Sequence, residues 1–138
     1  MPSRDSQTVK RRFEVSGSTA LGDAVAVTRR FASDHSLGPR DEARLCIIVE
    51  ELVTNLIEHG GLEQPIGIEL AHTGAAVTVA LEDCGLPFDP RTPTDSDNVP
   101  SRGGGAGLRL VRAWSEIVGY ESAGGRNRLE LSVPLGSG

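Results

Sequence analysis

Three short stretches of the chain place polar groups where the surrounding pattern asks for apolar ones. In "EELVTNLIEHGG", residues 50 to 61, Glu51 and Asn55 stand four apart on one face of an apolar-periodic helix, with His59 continuing the row. Asn is a poor residue inside a helix, because its side chain competes for backbone hydrogen bonds, so something besides helix propensity keeps Asn55 there. In "AVTVALED" the alternation of Val77, Val79 and Leu81 carries on to Asp83, aiming a carboxylate at the core side of a strand end. A buried carboxylate needs donors, and the exocyclic amino group of a ligand is one candidate. In "GGGAGLRLVR" glycines lead into a helix, where exposed amides favour phosphate oxygens. Each stretch alone also has an ordinary reading: a solvated polar pair, a turn aspartate, a hinge.

The elements that must position these groups can be read from periodicity. Val9, Phe13 and Val15 alternate as a first strand, and from Ser18 onward Leu21, Ala24, Val25, Thr28, Phe31 and Ala32 recur at helical spacing. "SLGPRDE" is expected to end that helix at Gly38 and open the next at Pro39, with Asp41 and Glu42 suited to its positive end. The second helix runs to about Gly60 on a stripe of Leu45, Ile48, Val49, Leu52, Val53 and Leu56. "IGIEL" and "AVTVALED" form a hairpin turning at Gly74, and "CGLPFDPRTPTDSDNVPSRGGGAG" reads as one long functional loop. A third helix is expected through Leu110, Val111, Trp114, Ile117 and Val118, followed by a second hairpin about Gly124 and Gly125. Three helices and about five mostly antiparallel strands predict an α+β two-layer sandwich, with the helices on one face of the sheet.

The totals narrow the possibilities. The 138 residues suit a single domain, 1–138, with a proper core. A net charge of −5 argues against a nucleic-acid surface, so any phosphate site must be local. No apolar run approaches the roughly 20 residues that span a bilayer, and "MPSRDSQTVKRR" lacks the apolar core of a secretory signal, so a cytoplasmic location is expected. Cys46 and Cys84 form no CxxC pair and are read as reduced thiols.

Taken in order, Glu-x3-Asn on a helix, Asp-x-Gly-x-Pro-Phe-Asp after a strand, a long loop and Gly-x-Gly-Leu at a helix start resemble the ATP-binding (Bergerat-type, GHKL) fold of gyrase, Hsp90, histidine kinases and MutL. Within it the chain is most similar to the anti-sigma factor serine/threonine kinases of bacterial partner-switching systems, over Ser18 to Leu135. The resemblance implies that Glu51 is the general base and that Asn55 holds Mg²⁺. It gives Asp83 the adenine amino group, with Gly85, Pro87 and Phe88 in the same motif. It places Gly105, Ala106, Gly107 and Leu108 at the phosphates and makes residues 90 to 104 a lid over ATP. Where much of the wider superfamily has a Thr on a late strand, this chain reads "GRNRLELSV"; Asn127 shares the inward phase of Leu129, Leu131 and Val133 and is given no ligand role. Arg91 and Arg102 are the only cations of the lid.

The function so implied is ATP- and Mg²⁺-dependent phosphorylation of a small anti-sigma factor antagonist of STAS type, with a sigma factor as second partner and a homodimer expected from the resemblance only. Two alternatives stay open: a regulator that binds nucleotide without transferring phosphate, and a detached histidine-kinase catalytic domain. The sequence carries no phosphoacceptor His followed by a helix pair, which speaks against a complete histidine kinase.

Overall fold

A computed structural model describes residues 9–60, 64–85 and 104–136. Among them, strands β1 (Val9–Val15), β2 (Ile66–His72), β3 (Ala76–Asp83), β4 (Glu116–Ala123) and β5 (Arg126–Pro134) form one sheet in the order β1-β2-β3-β5-β4. Every described pairing is antiparallel. Helices α1 (Ala20–Asp34), α2 (Pro39–Gly60) and α3 (Gly104–Trp114) accompany it, so the chain has the expected α+β architecture.

One apolar layer joins helices and sheet. Ile66, Ile68 and Leu70 of β2, Val77, Val79 and Leu81 of β3, and Leu131 and Val133 of β5 lie in the inward phase of their strands. They meet Ala20, Ala24 and Phe31 of α1, Leu45, Ile48, Val49, Leu52 and Val53 of α2, and Val111 of α3. Burying a side chain of this size stabilises by about 1.5–3 kcal/mol, so α2, with five such residues, is fixed firmly against the sheet. Thr28, fully buried in the α1 stripe, is satisfied by donating its hydroxyl to the Ala24 carbonyl at 2.8 Å.

The boundaries differ from expectation in two places. The first helix ends at Asp34, not at Gly38: Ser36 takes the left-handed conformation (φ 56°), while the Leu37 and Ser36 amides donate to the carbonyls of Ala32 and Ser33 at 2.9 and 3.1 Å. This is the Schellman closure, made by a serine in the place glycine usually holds. Gly38 instead opens α2, its carbonyl accepting from the Glu42 amide at 2.9 Å. The third helix stops at Trp114, and Ile117 and Val118 belong to β4 rather than to a helical stripe. Ile117 pairs with Leu131, and the register then shifts between Ile117 and Gly119, leaving Val118 outward at 59% exposure. A β-branched pair before a glycine fits a bulged strand better than a helix end.

The two hairpins turn where the glycines indicated. Gly74 has φ +93°, and Gly124 and Gly125 have φ +62° and +78°, the pattern of a two-residue type I′ turn.

Candidate functional site

Asp83 ends β3 in the inward phase and is 6% exposed. Its Oδ2 accepts two N–H groups, the Gly85 amide at 2.9 Å and Asn127 Nδ2 at 3.2 Å. Asn127 lies directly opposite Asp83 in the β3–β5 register and is itself 4% exposed. It also donates to the Gly85 carbonyl at 2.9 Å and accepts from the Ser122 hydroxyl at 2.7 Å. The carboxylate is thus held at the sheet end by β5, three elements later in the chain. Sequence reading noted the inward phase of Asn127 but found no partner for it, because the β3–β5 pairing is non-local.

Helix α2 supplies the second group of residues. Asn55 is 8% exposed, and its Nδ2 is buried without a hydrogen-bond partner among the described residues. Buried polar atoms are nearly always paired, so an orphan calls for a ligand, ion or water. The two ends of a carboxamide are assigned from their hydrogen-bond partners, so the open end suits either a donor or an oxygen ligand. One turn earlier Glu51 is half-buried, and burial, then the Glu50 and Glu58 carboxylates, pushes its pKa above the ordinary range. A carboxylate so raised is a better proton acceptor than a free surface glutamate.

A side chain that sequence reading missed joins the two groups. Gln64 donates Nε2 to the Leu56 carbonyl at 3.0 Å and accepts the Cys84 amide on Oε1 at 3.2 Å. Leu56 follows Asn55 and Cys84 follows Asp83, so one carboxamide ties the α2 end of the site to the turn after β3. No motif pointed to Gln64; only the meeting of a helix end with a strand end gives it a task.

Gly105, Ala106, Gly107 and Leu108 fall within the first turns of α3, which packs against α2; near the other end of that contact the Arg44 guanidinium lies 4.9 Å over the Trp114 ring. Pro87, Phe88 and residues 90 to 103 of the expected lid lie outside the described residues, as do the side chains of His59 and of Gly105 to Leu108. Both thiols are free, Cys46 buried and Cys84 exposed beside Asp83. Among the described residues no helix is long and apolar enough to cross a membrane.

At this end of the fold the described residues hold a seated carboxylate at Asp83, a carboxamide at Asn55 whose Nδ2 has no partner among them, and a half-buried carboxylate at Glu51, while α3 packs against the helix that carries the last two. The family model of the histidine kinase-like ATPase domain matches residues 16–133. The chain belongs to that family. No curated protein matches it. Solved structures share the fold of this ATPase domain. The Acinetobacter baumannii histidine kinase AdeS is 14% identical with a TM-score of 0.51, covering 92% of this chain and 68% of that one. The catalytic domain of histidine kinase ThkA, in a nucleotide-free form, is 16% identical with a TM-score of 0.53, covering 91% and 98%. The SiaB–SiaC complex from Pseudomonas aeruginosa is 14% identical with a TM-score of 0.54, covering 89% and 88%. Membership of an ATPase family implies an ATP-binding pocket, and the residues present fit one: a buried carboxylate at Asp83 with Oδ1 free of described donors, and a polar end at Asn55 without a partner among the described residues.

Proposed function

We propose that this ATPase domain is a protein serine/threonine kinase that phosphorylates a small anti-sigma factor antagonist of STAS type and also holds a sigma factor. The observation that carries the reading is the pair on α2: a half-buried Glu51 of raised pKa one turn from a buried Asn55 whose Nδ2 has no partner among the described residues. A base of raised pKa is suited to accept the proton of a Ser or Thr hydroxyl. Asp83 holds the adenine end of the nucleotide, with Gly85, Pro87 and Phe88 around the base. Gly105, Ala106, Gly107 and Leu108 offer backbone amides to the phosphates at the α3 start. Asn55 would hold Mg²⁺, whose preference for oxygen ligands and for sharing with phosphates suits a site with few protein carboxylates. Mg²⁺ and ATP would supply the transferable phosphoryl group and neutralise its charge. The chain's own part is mainly positioning, which phosphoryl transfer demands above all.

Two further points support a protein substrate. The resemblance in motif order is to kinases of partner-switching systems, and one structure of the same fold is a complex of two proteins, SiaB and SiaC. Phosphate added at the antagonist's docking surface would separate the pair by charge and desolvation.

The test is transfer of labelled γ-phosphate from ATP to a candidate antagonist, with wild type and Glu51→Gln compared. Transfer that vanishes in Glu51→Gln while ATP binding persists supports the reading. Undiminished transfer removes Glu51 as base. An acid-labile product would mean phosphohistidine and a detached histidine-kinase domain, and ATP binding with no transfer to any candidate would mean a nucleotide-dependent regulator.

A further inference from the structure

Ser122, Asn127 and Asp83 lie in one row across three neighbouring strands: Ser122 is opposite Asn127 in the β4–β5 register, and Asn127 is opposite Asp83 in the β3–β5 register. The row is a chain of hydrogen bonds, Ser122 Oγ to Asn127 Oδ1 at 2.7 Å and Asn127 Nδ2 to Asp83 Oδ2 at 3.2 Å. The orientation of the Asn127 carboxamide is not ambiguous. The Gly85 carbonyl, 2.9 Å away, can only accept, so the end facing it must be the NH₂.

This commits both hydrogens of the Asn127 carboxamide and one lone pair of its oxygen. Its two hydrogens go to Asp83 and Gly85, and its oxygen takes the Ser122 hydroxyl. It has no strong donor left for a ligand. The effect falls on Asp83 instead: both of its protein donors, Gly85 and Asn127, converge on Oδ2, and among the described residues none reaches Oδ1. One carboxylate oxygen is therefore fixed and the other is left for a ligand donor.

We infer that Asn127, seated by Ser122, is a positioning residue that sets base selectivity by presenting Asp83 Oδ1 as a pure acceptor, so that purines with a 6-amino group are taken and those with a 6-oxo group are refused. Asn127 acts through Asp83 and does not touch the base. The inference rests on the ATP-pocket reading above. It follows from an asymmetry of hydrogen bonding: a fixed buried acceptor gains a bond from an amino group and faces an acceptor, unpaired, in a 6-oxo purine.

The measurement is the ratio of dissociation constants for ITP and ATP, by calorimetry on the full chain, for wild type, Ser122→Ala, Ser122→Thr and Asn127→Leu, with Asp83→Asn as control. ITP differs from ATP at the 6-position of the base, with the consequent change at N1. Wild type should favour ATP by tenfold or more, the factor that corresponds to about 1.4 kcal/mol. Ser122→Ala should cut the ratio about fivefold, the equivalent of one hydrogen bond of about 1 kcal/mol. Asn127→Leu should bring it close to one, and Ser122→Thr, which keeps the hydroxyl, should retain it. Ser122 is exposed, so its variants carry the test even where Asn127→Leu fails to fold. If ATP and ITP weaken by the same factor, or neither changes in Ser122→Ala, Asn127 is only a structural residue and the inference is overturned. The pocket reading is judged separately: it stands if wild type binds ATP and Asp83→Asn does not, and if wild type binds no ATP both fall together.

Discussion

Glu51 sits where three effects raise its pKa together, burial first and then the carboxylates of Glu50 and Glu58. A general base works only when deprotonated, so the acid limb of the pH–rate profile should lie above the ordinary glutamate range. Glu58→Gln removes one of the neighbouring charges and should move that limb to lower pH, read from kcat against pH with the antagonist saturating. Because the folded-state pKa is raised, the charged form of Glu51 is disfavoured by folding, and its contribution to stability is present at low pH and lost as pH rises through the folded value. Glu51→Gln should therefore melt no lower than wild type at pH 7 while transfer is lost. At this scale the sequence was informative where a signal was local. The inward aim of Asp83 followed from continuing the alternation of Val77, Val79 and Leu81. The oddity of Asn55 followed from helix propensity, and the residue is buried at 8% exposure. Gln64 could not be found in this way, since its two partners are 8 and 20 residues away and belong to different elements.

The elements are joined by a few unusual links. Ser36 holds a left-handed conformation that costs a residue with a Cβ roughly 1 kcal/mol, so Ser36→Gly should raise stability by about that amount in a denaturant titration, with the m-value unchanged. The bridge from α2 to the turn after β3 depends on a side chain with both a donor and an acceptor. Gln64→Met keeps the shape and removes both bonds. The Cys84 amide should then exchange its hydrogen markedly faster, and stability should fall by about 1 kcal/mol, since water can replace part of the loss. The glycine and proline punctuation placed α2 correctly at its start, yet misassigned the end of α1, because the serine that closes it has no special signal. The α3–β4 boundary was hidden for a different reason. Ile117 and Val118 keep helical spacing with Trp114, and only pairing with Leu131, supplied by a distant strand, turns the segment into a sheet edge.

On the whole molecule, the sheet face away from the helices carries a network of ion pairs. Glu82 meets Arg128 at 2.8 Å, Arg126 at 3.1 Å and Arg12 at 3.3 Å, and Glu69 meets Lys10 at 3.3 Å and Arg12 at 3.6 Å. Hydrogen bonds from Arg126 and Arg128, against the opposing effect of burial, hold the Glu82 pKa below its usual value. Its stabilising contribution is thus full above the ordinary glutamate pKa of 4.5 and is lost as pH falls through the lower folded value. Glu82→Gln should cost about 1 kcal/mol at low salt, and the difference should shrink as salt is added. A second pH effect acts where α1 meets β2, with His35 Nδ1 3.2 Å from His72 Nδ1 and the His35 ring stacked 4.2 Å from Phe31. Burial first, and then His72, lower the His35 pKa, against Asp34. The melting temperature should fall as pH drops below about 6.5, where the unfolded chain gains a proton that the folded one resists, and His35→Phe should remove that part of the decline. The layer architecture was legible from grouped strands and one-faced helices, whereas the strand order was not, since no local pattern tells that β5 inserts between β3 and β4. That insertion has a consequence for how the molecule is made. A ribosome delivers β1, β2, β3 and α2 before β5, so a nascent chain holds Asp83 with β2 beside its strand but without Asn127 and the strand that carries it. The row that seats Asp83 is completed only when β5 has been delivered and docked, so this end of the sheet is the part that must form after α2, β2 and β3 have met.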